Sequence, residues 1–398
     1  MYDMEKVVRK RYAKLLLSAL NSNKGLNQGE VILLQVPESA KPMLKELRDE
    51  ITRQGCHFIT HYQPQDVSRS FYELADEDQL EFFPENYLRG LVDDIDHRIK
   101  IVSEVDKQEL KGVDPKKIMK KIESFKQFKE WLTKKENKGE FTWTMALYPT
   151  EEMAEEANMS LEEYTQQIVK ACFLDKDDTI ERWRETVSTI NKIKDRLNKL
   201  DIEKVHVDSE GTDLTVKIGD NRKWMGGSGR NVPSFEIFIS PDWRGTEGHI
   251  SFDQPLYRYG NLIKDIYLEF EDGKVVEASA SEGEDVLKEM INSENADKVG
   301  EYSLTDSRFS RITEFMANTL YDENVGGEYG NTHIALGRAY KDSYPGDEGN
   351  VSDEEWEEMG YNTSPIHTDI ISTKDRTVTA TLEDGSEKVI FEDGEFQV

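Results

Sequence analysis

The histidines are the residues whose type and spacing first indicate chemistry, because the 398-residue chain contains only seven of them. His367 and Asp369 lie two residues apart, and in a β-strand that spacing points both side chains to the same face. A carboxylate beside an imidazole suits two arrangements: both groups bind one divalent metal ion, or the carboxylate orients an imidazole that binds the metal. Because one residue in five is acidic, this pair alone is weak evidence for a metal site.

A second histidine, His333, lies seven residues before Tyr340. If the segment 332–340 is helical, the two side chains share one face of the helix. An imidazole ligand near a phenol makes chemical sense, because a tyrosine can donate a hydrogen bond to developing oxyanion charge. A helix with an ordinary polar face is the alternative interpretation.

Three acidic residues extend this set of candidates. Glu236 interrupts an apolar strand, where a buried acid needs a partner and a metal ion is one candidate. Glu301 and Glu323 lie in the segments 299–304 and 318–324, and in so acidic a chain neither of them indicates a site by itself.

The composition excludes several classes of protein. Two cysteines, Cys56 and Cys172, cannot form a disulfide framework or a cysteine-based zinc site. A net charge of -29 repels phosphate backbones, and no apolar run reaches the length of about 20 residues that a membrane-spanning helix needs. No Gly-x-Ser-x-Gly motif indicates a serine nucleophile. We therefore expect a soluble, cytoplasmic protein that binds neither nucleic acid nor membranes. The acidic surface fits a high-salt cytoplasm, and an ordinary acidic enzyme with a pI near 4.7 is the alternative.

The elements that must position these residues differ between the two halves of the chain. Before residue 200, strand patterns alternate with helical patterns, which favours a parallel, Rossmann-like α/β sheet. Asp66 is a candidate N-cap, Ser160 and Glu163 form a candidate capping box, and the lysine-rich stretch 107–138 is typical of a solvated helical face. The predicted strands are 30–36, 57–62, 98–102 and 141–147, and the predicted helices are 4–20, 39–54, 66–83 and 160–200.

The second half is β-rich and predicts an α+β catalytic domain. The turn signals Asp272-Gly273 and Asp384-Gly385 predict two hairpins. We place the domain boundary near residue 200, which gives a Rossmann-like domain over 1–200 and a β-rich domain over 201–398. The predicted strands are 205–218 with a turn at Gly211, 235–239, 250–252, 266–270 and 274–279, and the predicted helices are 283–293 and about 308–318.

Five segments, taken in order, resemble the thermophilic metalloaminopeptidase family, which includes aminopeptidases T and S and aminopeptidase II. The family motifs are similar to Pro-Ser-Gly-Glu-Val-Phe, Gly-Glu-Val, Phe-Asp-Glu-Asn, Asn-His-Leu-Ala-Ile-Gly-x-x-Tyr and His-x-Asp. The corresponding segments of this chain are 233–238, 300–302, 321–324, 332–340 and 367–369.

The resemblance implies an aminopeptidase that uses a water molecule activated by two divalent metal ions, namely zinc, cobalt or manganese. It implies Tyr340 as the residue that stabilises the oxyanion and Glu301 as the carboxylate that bridges the two metals, and it leaves the general base open. It also implies peptide substrates with a free N-terminus and a homodimer whose active sites face a restricted space. The implied metal ligands are Glu236, Glu301, Glu323, His333, His367 and Asp369.

The chain departs from the family pattern at three places. Phe235 replaces the glycine before the first ligand, and the segment 325–331 is longer than the pattern. The segment 342–358 contains eight acids and no base, which indicates either a solvated loop or an acidic rim that favours basic peptides. A catalytically silent binding protein of the same fold is the alternative function. A two-metal phosphodiesterase is disfavoured, because the site lacks basic phosphate clamps.

Overall fold

The computed structural model describes residues 4–106, 108–258 and 261–398. Lys107, the first residue of the lysine-rich stretch, lies outside these ranges. By its internal packing the chain forms two compact units. One unit runs up to Trp183 and includes Ser228–Pro233, and the other comprises Arg184–Gly227 and Ser234–Val398. The domain boundary near residue 200 stays a prediction.

Helices and strands alternate up to residue 147, and strands dominate the chain from residue 202 onward. The helices are α1 Lys6–Asn23, α2 Lys41–Arg53, α3 Ser68–Leu74, α4 Glu77–Glu81, α5 Glu85–Asp94, α6 Pro115–Ser124, α7 Lys126–Asn137, α8 Glu151–Glu156, α9 Leu161–Ala171, α10 Thr179–Leu197, α11 Glu284–Ile291, α12 Thr319–Asp322 and α13 Asp353–Glu358. The strands are β1 Val31–Pro37, β2 His57–Gln63, β3 His97–Val102, β4 Thr142–Leu147, β5 Ile202–Ser209, β6 Thr212–Lys217, β7 Met225–Gly226, β8 Asn231–Val232, β9 Glu236–Ile239, β10 Glu247–Phe252, β11 Leu256–Arg258, β12 Asn261–Ile263, β13 Ile266–Glu271, β14 Lys274–Ser279, β15 Val299–Thr305, β16 Asn331–Gly337, β17 His367–Ser372, β18 Arg376–Leu382, β19 Glu387–Glu392 and β20 Glu395–Phe396.

The first unit contains the predicted parallel sheet, with strand order β2-β1-β3-β4-β8. Each neighbouring pair in this sheet is parallel. Three consecutive residues of β1, Ile32, Leu33 and Leu34, are fully buried, as expected for a strand covered on both faces. The capping box of Ser160 and Glu163 is present at the start of α9. A mixed α/β fold with a parallel sheet is therefore confirmed.

Three helix predictions are wrong in detail. The segment 160–200 forms two helices, α9 and α10, because Phe173 between them has a left-handed φ of 54°. The segment 66–83 forms two short helices, α3 and α4, because Ala75 between them is extended. Asp66 has a left-handed φ of 56° and is not an N-cap, because the N-cap of α3 is Val67. A capping box of Asp76 and Gln79 lies instead at the start of α4. The segment 308–318 is irregular, and the only helix close to it is α12.

The second unit contains two large antiparallel sheets. The eight-stranded sheet has the order β14-β13-β10-β6-β5-β18-β19-β20, and the five-stranded sheet has the order β17-β16-β15-β9-β7. Both predicted hairpins are confirmed, since β13 pairs with β14 and β18 pairs with β19. Along the described ranges, no helix combines the length and apolar character that a membrane crossing requires.

Candidate metal centre

The five-stranded sheet of the second unit brings most of the candidate ligands to one face. Glu236 of β9 lies opposite Thr305 of β15. Thr305 and Glu301 are four residues apart on β15, so their side chains point to the same face of the sheet. His333 of β16 lies opposite Ser303 of β15. Because side chains two residues apart on a strand share a face, this register places Glu236, Glu301 and His333 together.

Strand β17 carries the other two candidate ligands of this sheet. Asp369 lies opposite Ala335 of β16, and His367 lies opposite Gly337. The predicted strand geometry of the His-x-Asp pair is therefore confirmed. The predicted helix over 332–340 is wrong, because residues Asn331–Gly337 form strand β16, which lies between β17 and β15.

The side chains of these five residues approach one another closely. His333 Nε2 lies 3.0 Å from Glu301 Oε1, 3.5 Å from Glu236 Oε2 and 3.9 Å from Asp369 Oδ1. His367 Nε2 lies 3.2 Å from Asp369 Oδ1 and 3.8 Å from Glu301 Oε2. Ligand atoms of Glu236, Glu301 and His333 all lie within 4.8 Å of one another, which is the spacing of groups that can share a metal ion.

Glu323 reaches the cluster from the end of α12 rather than from the sheet. Asn318 caps this helix, and the Asp322 carboxylate accepts hydrogen bonds from the backbone N–H groups of Met316 and Asn318 at 2.6 and 2.8 Å. The next residue, Asn324, donates to Glu323 Oε1 at 3.3 Å. Burial and repulsion from Glu236 raise the pKa of Glu323 well above its ordinary value, which indicates that this carboxylate lies near the others.

Side chains of two asparagines form hydrogen bonds at two of the three places where the chain departs from the family pattern. Asn324 Oδ1 accepts a hydrogen bond from the backbone N–H of Phe235 at 2.6 Å, so the strand before Glu236 is tied to α12. Asn331 Nδ2 donates to the carbonyl oxygens of Glu323 and Val325 at 3.1 and 2.5 Å. The base of the segment 325–331 is therefore anchored beside the cluster.

The electrostatics of the cluster reflect an excess of acid. Four carboxylates and two imidazoles meet in a buried space. Burial, together with repulsion from Glu301, raises the pKa of Glu236 to about 8, and burial also raises the pKa of Glu301. Two protonated imidazoles balance only two of the four negative charges. The metal-free protein must therefore keep protons on some of these acids.

The pKa of both imidazoles also rises in this cluster, which favours their charged form, whereas a raised pKa favours the neutral form of a carboxylate. Burial lowers the pKa of an imidazole, but the hydrogen bond to Glu301 and the nearby charges outweigh it and raise the pKa of His333 to about 9. Asp369 likewise raises the pKa of His367 to about 9. Burial opposes ionisation of Asp369 itself, but His367 lowers the pKa of this carboxylate to about 2. Such mutual perturbation is typical of functional sites.

The donor atoms fit divalent metal ions. Glu301 Oε2 is buried and accepts no hydrogen bond from the residues that the structure describes, so this lone-pair site is available to a cation. The Nδ1–H of His367 donates to the carbonyl oxygen of Arg338 at 2.7 Å, so Nε2 is the ring nitrogen that could bind a metal ion. Carboxylate and imidazole ligands suit zinc, cobalt and manganese.

Tyr340 lies beside the cluster through its contact with His367. Its ring centroid lies 4.5 Å from that of His367 and 6.1 Å from that of Phe238, and its backbone N–H donates to Ser240 Oγ at 2.8 Å. Tyr340 as a whole is 37% exposed, but partial desolvation of its phenol and the charges of Glu301 and Asp369 raise its pKa. The hydroxyl therefore keeps its proton at neutral pH and can donate a hydrogen bond.

Four groups that orient the candidate ligands could not be identified from the sequence. They are the backbone carbonyl of Arg338 and the side chains of Asn324, Asn331 and Ser303, and the Ser303 hydroxyl lies 3.4 Å from Glu236 Oε2. A partial signal was present, since Asn324 directly follows Glu323 and Asn331 lies two residues before His333. An asparagine near a candidate ligand has many other roles, so the signal is weak.

A family model described as "Thermophilic metalloprotease (M29)" matches residues 6–396 of the chain. The chain belongs to this metalloprotease family. It is 28% identical to "Aminopeptidase AmpS" of Bacillus subtilis, over 96% of this chain and 97% of that relative. It is 27% identical to "Aminopeptidase T" of Thermus thermophilus, over 98% of this chain and 99% of that relative.

The fold agrees with a solved member of the family. The structure "Wild-type AmpT from Thermus thermophilus" matches with a TM-score of 0.81 at 23% identity, over 98% of this chain and all of that one. At this identity the likeness shows the fold alone. The family resemblance inferred from the five segments is confirmed. The prediction of a metalloaminopeptidase is confirmed at the level of the family and of the names of its relatives. The roles of the individual site residues stay predictions.

Proposed function

We propose that this M29 metalloprotease is an aminopeptidase that removes N-terminal residues from peptides with two divalent metal ions. The observation that carries this proposal is the buried cluster on one face of the five-stranded sheet, in which acids outnumber basic groups. A cluster with such a surplus of negative charge needs cations from outside the chain. The residues that would hold the metals are Glu236, Glu301, Glu323, His333, His367 and Asp369.

Glu301 is the carboxylate that we assign to both metal positions. Its Oε1 lies 3.0 Å from His333 Nε2, and its Oε2 lies 3.8 Å from His367 Nε2, so its two oxygens face different imidazoles. When bound, a pair of divalent ions activates water and polarises a carbonyl group. The carboxylates of the cluster are also the groups that can accept the proton of the attacking water.

Tyr340 is the residue that we assign to the oxyanion. Its phenol keeps its proton because burial and the nearby carboxylates raise its pKa. A neutral hydroxyl held in place by the packing of its ring on His367 can donate to the oxygen of a peptide carbonyl as negative charge develops there.

The substrate class rests on the names of the relatives. The relatives that match almost the whole chain are named aminopeptidases, so we propose peptides with a free N-terminus as substrates. We further propose, from the family resemblance, a homodimer and a Rossmann-like first domain. A cytoplasmic location agrees with the two free cysteines.

The test is hydrolysis of aminoacyl p-nitroanilides after removal of metal with a chelator and addition of zinc, cobalt or manganese, at low and high salt. We expect restored release from substrates with a free amine and no release from their N-acetylated forms. If the folded protein released nothing with any metal at either salt concentration, the proposal would fail. The catalytically silent binding protein would then be favoured.

A further inference from the structure

Arg338 is a cation that the backbone holds at the edge of the metal centre. It directly follows β16, its N–H donates to the carbonyl oxygen of Ile366 at 2.7 Å, and its own carbonyl accepts from His367 Nδ1 at 2.7 Å. On β15, Gly300 allows the close approach, because a Cβ there would come within 2.5 Å of the Arg338 carbonyl oxygen. The position of this residue is thus fixed relative to the ligands.

The Arg338 side chain is exposed and points toward the tyrosine of the site. Its guanidinium carbon lies 6.0 Å from the ring centroid of Tyr340, whose ring also packs on His367. Guanidinium, phenol and imidazole therefore follow one another from the edge of the site to its centre. A substrate whose carbonyl oxygen meets Tyr340 would have its neighbouring groups close to Arg338.

The guanidinium of Arg338 forms no hydrogen bond or ion pair with any residue in the described ranges, although the chain has 80 acidic residues. Other arginines of this unit are engaged: Arg244 binds Asp242, and Arg308 binds Asp306. A planar guanidinium with free N–H groups matches the two oxygens of a carboxylate.

We propose that Arg338 binds a carboxylate of the peptide substrate; this inference rests on the proposed aminopeptidase function. The carboxylate belongs either to an acidic first side chain or to the C-terminus of a short peptide. Repulsion by the acidic surroundings would disfavour both kinds of substrate without a cation at this position. Arg338 thus determines specificity.

The experiment compares wild type with Arg338→Gln, Arg338→Lys and the control Arg48→Gln, all loaded with the same metal. Arg48 is a matched control because it is also exposed and lies over an aromatic ring, 4.7 Å from the centroid of Phe58, in the first unit. Glu-, Gln-, Leu- and Lys-p-nitroanilide test the first side chain. The dipeptide Leu-Ala and its C-terminal amide test the C-terminal carboxylate. Metal content is measured for each variant.

We expect wild type to prefer Glu- over Gln-p-nitroanilide or the dipeptide over its amide, and the pair that shows the preference identifies the carboxylate. Arg338→Gln should lower kcat/KM for the preferred substrate about 5- to 10-fold, chiefly through KM, which is the usual scale of one charge-assisted contact at a partly exposed site. Hydrolysis of Leu-p-nitroanilide and metal content should stay unchanged. Arg338→Lys should retain part of the preference.

Three results would overturn the inference. The first is a wild type that shows neither preference, and the second is a wild type that favours the Lys substrate. The third is an Arg338→Gln variant whose kcat falls equally on every substrate, because Arg338 would then be a positioning residue for Tyr340. In each case, cleavage of Leu-p-nitroanilide by wild type would leave the aminopeptidase proposal intact. A wild type that cleaved no substrate would contradict both.

Discussion

Two groups of buried charges in the second unit differ in whether the chain supplies its own counter-charges. Asp242 is 2% exposed, and its carboxylate accepts hydrogen bonds from Arg244 Nε at 2.7 Å, Arg244 Nη2 at 2.8 Å and Lys217 Nζ at 3.2 Å. Burial alone would raise the pKa of Asp242, but these two cations keep it below its ordinary value. This carboxylate is ionised and fully paired.

The metal centre lacks such pairing. Within the described residues, no lysine or arginine forms an ion pair with Glu236, Glu301 or Asp369, and histidines are their only basic partners. Burial therefore prevails and raises the pKa of Glu236 and Glu301. The two groups therefore differ in one respect: the fold supplies the counter-charges of Asp242, whereas the surplus acids of the cluster lack them, as expected for a site that binds a cation.

The largest expected effect is that of Glu301→Gln, which removes the proposed bridging carboxylate. Turnover should fall more than about 10²-fold, because the loss of outer-shell support alone costs 10- to 100-fold at metal sites. The free energy of unfolding of the metal-free protein should not fall, since the variant removes one of the surplus buried acids. Steady-state kinetics, metal analysis and denaturation by urea in chelator measure these quantities.

Glu277→Gln, on the exposed side of β14, is the control for this variant and should leave turnover unchanged. If Glu301→Gln destabilised the metal-free protein as strongly as the loss of a paired acid does, the contrast between the two groups of charges would not hold.

Tyr340→Phe should lower kcat about 10- to 10²-fold, as expected for the loss of one donor to an oxyanion. Metal content should stay at the wild-type level, because the phenol is not one of the proposed ligands. Full activity of Tyr340→Phe would show that the neutral hydroxyl has no part in the reaction, and a loss of metal would assign Tyr340 to the metal centre itself.

Asp242→Asn should have the opposite profile to Glu301→Gln. The free energy of unfolding should fall by about 2 kcal/mol, because a buried, charge-assisted network loses its acceptor. The kcat of the folded fraction should be unaffected. Denaturation by urea measures the stability, and Asp213→Asn is the control, since its pair with His206 is exposed to solvent and should contribute little to the stability.

The smallest expected effect is the pH dependence of that difference in stability. The pKa of Asp242 is lowered in the folded protein, so its contribution is complete above the unfolded value of about 3.9 and is lost as the pH falls through the folded value. The stability difference between wild type and Asp242→Asn should therefore shrink between about pH 4 and pH 3. A difference that stayed constant over this range would show that the carboxylate is not stabilised by its cations.

Local features of the fold could be predicted from the sequence because they depend on neighbouring residues. The capping box of Ser160 and Glu163 and the hairpin turn at Asp272-Gly273 are examples, since each depends on backbone geometry within a few residues. The segment 308–318 was mispredicted because backbone groups near its end bond to the side chain of Asp322, four residues beyond it. An acceptor of this kind competes with helix formation.

The metal centre was only partly predictable by the same reasoning. His367 and Asp369 follow the two-residue period of a strand, so their shared face could be inferred. The run 334–336 is too short to distinguish a strand from a helix, and this ambiguity led to the wrong geometry for His333 and Tyr340. The remaining ligands were found only through resemblance to a family, because their neighbours in sequence carry no signal of the site.

The sequence by itself determined the acidity of the chain, the alternation of strands and helices in its first half and the residue types capable of binding metal. These follow from composition and from periods of two to four residues. The tertiary structure alone decided that strands separated by 30 to 65 residues would pair in the register that joins Glu236, Glu301 and His333. It also decided which buried acids form ion pairs with a lysine or an arginine. Both outcomes depend on distances of a few ångströms between remote segments, which only the packed fold sets.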